Sequence, residues 1–96
     1  MKQIKQLWQK FKKNPFLPSA HNNDSDLELL DSTIAGCISS LVGTGYLENK
    51  KMEILESYVQ ELNANLKKVP VDAQGYFKKL AKIGNLILQD RTNYIR

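Results

Sequence analysis

Between Ser32 and Leu47 (STIAGCISSLVGTGYL) the chain has no ionisable group except the Cys37 thiol and the Tyr46 phenol, although 25% of all its residues are charged. So long an uncharged run belongs inside a fold or against another surface. At ~100° per residue, Leu27, Leu30, Ile34, Cys37, Ile38 and Leu41 share one helical face, with Val42 at its edge. The opposite side carries Ser32, Thr33, Gly36, Ser39 and Ser40, which are small or weakly polar. The pattern predicts a central helix over about 25–42, capped by Asp24 or Ser25 and open to close helix approach on its small side as well.

Three further helices fit around it. In Lys2 to Lys13 (KQIKQLWQKFKK), Ile4, Leu7, Trp8 and Phe11 gather on one arc and the lysines and glutamines take the rest, which predicts an amphipathic first helix over about 2–13. Pro15 and Pro18 then break the helical path. After the central helix, Gly43-Thr44-Gly45 is read as stop and turn, with Gly43 ending the helix. Glu48 opens a third helix over about 48–67, Leu47 and Met52 stand at staple spacing, and Ile54, Leu55, Tyr58, Val59, Leu62 and Leu66 line its inner face. Val69-Pro70-Val71 reads as an extended break, and Asp72 as the cap of a fourth helix over about 73–89. Its inner face holds Tyr76, Phe77, Leu80, Ile83, Gly84, Ile87 and Leu88, while Lys78, Lys79 and Lys82 point outward. Gly84 would destabilise a helix interior unless its missing side chain were used, and a close crossing with Gly36 is the expected use. In the tail, 90–96, Tyr94 and Ile95 are read as either a packed segment or an exposed handle.

No strand-like alternation appears, so the expected architecture is a single all-α domain over 1–96, an antiparallel four-helix bundle with short loops. Ninety-six residues suffice for one core. The uncharged run is interrupted by serines, threonines and glycines and falls short of the ~20 apolar residues a membrane span needs. No secretory leader is legible in the lysine-studded first segment, and a single cysteine suits a reducing compartment. The expected location is cytoplasmic, with a membrane-peripheral variant if the first helix lies on a lipid surface.

Chemical groups that could support catalysis are few. Cys37 is the sole thiol and lies on an apolar face, which would raise its pKa and hide it. His21, the one histidine, has only Asp24 and Asp26 near it in sequence, too few ligands for a metal. Glu53 and Glu56 share a solvated helix face. The two glycines around Thr44 follow a helix and lack the Gly-Lys-Ser/Thr ending of a phosphate loop. The expectation is therefore a binding protein with no catalytic residue, no metal, no cofactor and no small-molecule substrate.

The net charge of +4 is divided into patches. Five lysines and no acid fall in residues 1–13, and Asp24, Asp26, Glu28 and Asp31 form an acid-only cluster. Capping accounts for the first two carboxylates. Asp31, more than a turn further on and beside the apolar arc, needs a basic partner or a binding surface, so the four acids are the expected partner-binding group. Lys2, Lys5, Lys10, Lys12 and Lys13 form the alternative basic surface.

In the second half, Glu56-Ser57-Tyr58-Val59-Gln60-Glu61-Leu62, a polar run to Val69-Pro70, and a new amphipathic helix resemble the corresponding part of immunity proteins for pediocin-like bacteriocins. The likeness extends as a pattern from Leu27 to Leu88. It implies a small, basic, cytosolic four-helix bundle that protects a bacterium, and a related implication is an immunity protein of another toxin system. The expected function is neutralisation of a cognate toxin or bacteriocin by direct binding. The alternative is a small basic helical module that binds nucleic acid or an anionic membrane surface.

Overall fold

The computed structural model describes residues 2–12 and 25–95, which contain four α-helices: α1 (Lys2–Lys12), α2 (Ser25–Thr44), α3 (Asn49–Asn65) and α4 (Val71–Gln89). The all-α expectation holds. Among the described residues no strand forms, and β pairing is confined to an isolated bridge between Leu47 and Ile95. The segment with Pro15 and Pro18, and Asp24 at the expected cap, lie outside the described residues.

Each helix buries the arc that its own periodicity marks. Ile4, Trp8 and Phe11 of α1 are buried, as are Leu27, Leu30, Ile34, Ile38 and Leu41 of α2, and Met52, Leu55, Val59 and Leu62 of α3. α4 packs on all three other helices and supplies Phe77, Leu80, Ile83 and Ile87 to the shared core. The ring of Phe11 lies 4.7 Å from that of Tyr76, while Gln3 and Ile4 line a cleft with Leu86 and Gln89. α1 therefore runs antiparallel to α4, and its apolar face is consumed inside the bundle. α3 and α4 are antiparallel too, because Arg91, just past the end of α4, pairs with Glu56, and Val59 meets Gly84.

Several local expectations are corrected. α2 runs through Gly43 to Thr44 and stops at Gly45, whose φ of +88° a side chain would resist. The Gly45 N–H donates to the Leu41 carbonyl at 2.7 Å, which closes the last turn. α4 begins at Val71, with Pro70 in an extended conformation before it, so Asp72 sits inside the first turn and not at the cap. Proline presets the backbone for that entry and has no N–H to leave unpaired. Ile54 is 43% exposed and does not join the inner face of α3. Among the described residues nothing packs on the middle of the small side of α2: Ser32, Gly36 and Ser39 are exposed, Thr33 and Ser40 are half-buried, and a Cβ added at Gly36 would meet nothing within 4 Å. The Gly36–Gly84 crossing is thus replaced by a different one. A Cβ at Gly84 would lie 2.6 Å from Cγ2 of Val59, so the glycine admits α3.

The tail is packed. Tyr94 is buried, its carbonyl accepts the Leu47 N–H at 2.7 Å, and Arg91 forms an ion pair with Glu56. Glu56 thus has an ion-pair partner on its partly exposed helix face.

Candidate functional site

Of the four acids of the expected partner-binding group, the structure describes the side chains of Glu28 and Asp31. Asp24 and the side chain of Asp26 lie outside the described residues, and Glu28 is exposed on α2. Asp31 is 8% exposed, and its Oδ1 accepts a 2.6 Å hydrogen bond from the Tyr76 hydroxyl of α4. Through that bond it meets a neutral donor at the junction of α1, α2 and α4. Phe11 covers the same tyrosine from the side, and Trp8 stacks on Phe11 with centroids 5.5 Å apart. Burial first, then the hydrogen bond and the charge of Asp31, raise the pKa of the Tyr76 phenol.

On α2 the residue next to Glu28 is Leu29, 53% exposed and opposite the buried arc. Its place on the small, uncharged side was legible from spacing alone, since it precedes Gly36 by seven residues. Tyr76 was legible only as an inward residue. Its role as donor depends on which helix lies against it.

The basic side chains are displayed as expected. Lys2, Lys5, Lys10 and Lys12 are exposed on α1, as are Lys78, Lys79 and Lys82 on α4, whereas Lys13 lies outside the described residues. The antiparallel pairing brings part of these two sets together. Gln3 and Leu86 line one cleft. Lys10 directly precedes Phe11 and Lys79 follows Tyr76 by three residues, so both belong to the end of the α1–α4 pair where those rings meet.

Burial raises the Cys37 thiol pKa, partly offset by the Lys51 charge, and its sulfur lies 4.0 Å from the Lys51 carbonyl. Among the described residues no three His, Cys, Asp or Glu side chains are grouped to hold a metal ion. His21 lies outside those residues. Clefts among the described residues include one of about 240 Å³ at Gln3, Ile4, Leu86, Gln89, Asp90 and Tyr94, and another of about 180 Å³ at Ser40, Thr44, Tyr46, Leu47, Glu48 and Lys51. The second places the acid Glu48 and the base Lys51 around one opening. No helix among the described residues is long and apolar enough to cross a membrane.

Comparison with protein-family models, with curated proteins and with solved structures finds no match to this chain.

Proposed function

We propose that this chain is an immunity protein that neutralises a cognate bacterial toxin or bacteriocin by occupying it or its target, without catalysing a reaction. The observation that carries the reading is the α3–α4 pair. The segment with the resemblance, Glu56 to Leu62 and then Val69-Pro70 into a new helix, forms two antiparallel helices joined at Val59 and Gly84 within a four-helix arrangement. The partner-binding group is narrowed to Asp24, Asp26 and Glu28, because the Asp31 carboxylate is engaged by Tyr76. Leu29 beside Glu28 supplies an exposed apolar contact, and the uncharged small side of α2 can be covered without desolvating a charge.

Coexpression with the neighbouring gene product tests this: the two proteins should copurify and the host should survive the toxin. Asp26→Ala with Glu28→Ala should weaken the complex, since a charge pair central to such a contact costs ~2 kcal/mol or more when truncated. Glu53→Ala, an equally exposed acid on α3, should change little, with circular dichroism as the folding control. Failure of every adjacent toxin candidate to be neutralised overturns the reading. The competing reading, a basic module for nucleic acid, draws on the exposed lysines. A gel-shift titration without binding at low salt excludes it.

A further inference from the structure

The lysines of α4 and the start of that helix form a face that the toxin-binding reading does not use. Val71, the first residue of α4, is 87% exposed, whereas its neighbours Val69 and Ala73 are buried. Lys78 and Lys82 follow Val71 by seven and eleven residues and lie on the same outward stripe, ~16 Å long at 1.5 Å per residue. Lys79, also exposed, borders that stripe. Lys67 and Lys68, both exposed, occupy the 3-10 turn that leads into α4. From residue 62 to residue 89 the sequence contains these five lysines and one acid, Asp72. Along the α3 flank, Glu56 is already paired with Arg91.

We infer that this face docks the protein on an anionic lipid bilayer, with Val71 entering the headgroup region and Lys67, Lys68, Lys78, Lys79 and Lys82 lying over the lipid phosphates. The surface is a straight helix face and not a groove, which suits a plane of charge. Clustered lysines gain attraction from anionic lipid additively, and a lone apolar side chain at one end adds a short insertion. Nucleic acid is the poorer occupant. The face has no arginine for base edges, and Trp8, Phe11 and Phe77, which could stack on bases, are buried. α1 is not the inserting element, because its apolar arc is sealed against α4. The inference is independent of any toxin partner.

Flotation of the full chain with vesicles of equal parts phosphatidylglycerol and phosphatidylcholine tests it, with vesicles of phosphatidylcholine alone as reference. Binding is expected to the anionic vesicles only and to weaken with salt. Lys78→Gln with Lys82→Gln should lower the partition coefficient about fivefold for each lysine removed. Lys50→Gln with Lys51→Gln, the same charge change on α3, should lower it far less, and Val71→Glu should lower it further than the loss of one lysine. Circular dichroism checks that each variant is folded. The proposal is overturned by absence of binding at low salt, by equal losses in the two lysine pairs, by an unaffected Val71→Glu, or by a duplex oligonucleotide that displaces the protein from vesicles at equal phosphate concentration.

Discussion

The Tyr76 hydroxyl donates a 2.6 Å hydrogen bond to Oδ1 of Asp31, tying the first half of α4 to the first half of α2 beneath the aromatic pair of α1. A carboxylate that spacing alone assigns to an outer contact is thereby part of the bundle's interior. Removing the donor leaves a buried acceptor short of one bond. Tyr76→Phe should destabilise the fold by about 1.5–3 kcal/mol, the range for hydrogen bonds to charged groups. Urea denaturation measures it, and wild-type stability in Tyr76→Phe would show that the bond contributes nothing.

The same pair predicts a dependence on alkaline pH. The folded-state pKa of Tyr76 is raised above the ordinary value of about 10. The unfolded chain therefore loses this proton first as pH rises. The stabilisation is fully present below the unfolded pKa and is lost as pH climbs through the folded one. Titration followed by phenolate absorbance should show a late-ionising step that Tyr76→Phe abolishes.

Two glycines should respond in opposite directions. Gly84→Ala places a methyl 2.6 Å from Cγ2 of Val59, and a helical valine has one strongly preferred rotamer, so it cannot swing aside cheaply. Overpacking of this kind costs about 1–3 kcal/mol, against about 1 kcal/mol gained in helix propensity. Gly84→Leu should cost more. Adding Val59→Ala should relieve the clash, and the double-mutant cycle reads the coupling. Gly36→Ala, with open space around it, should stabilise by up to ~1 kcal/mol.

The tail separates burial from charge. Tyr94 is buried, so Tyr94→Ala should cost about 2–4 kcal/mol, in the range for large core truncations. Arg91 and Glu56 keep 31% and 38% of their side chains exposed, and Arg91→Ala should cost only about 0–1 kcal/mol. Thermal melts of both variants decide between them.

Cys37 should be inert in the folded protein. Buried among the side chains of the core and with its pKa raised by burial, the thiol should react with a disulfide reagent only as fast as the chain opens, and freely in denaturant. Rapid labelling under native conditions would place Cys37 at the surface.

The sequence by itself determined which side of each helix turns inward. Ile4, Trp8 and Phe11, or Leu30, Ile34 and Ile38, repeat at a period that belongs to one helix and needs no knowledge of its neighbours. The outward lysines of α1 and α4 were legible for the same reason, because an unpaired charge does not enter a core. What only the tertiary structure decided is which helix meets which. The small side of α2 suited burial and exposure equally, since it carries neither charge to repel a neighbour nor enough apolar area to require one, and none of the described residues packs on Gly36. Gly84 announced a close approach without naming Val59. Asp31 announced a need for a partner without naming Tyr76, forty-five residues away. Tyr94 and Ile95 stood open between tail and handle until the residues after α2 came within reach. Such pairings depend on how the chain closes on itself, and local periodicity holds no record of closure.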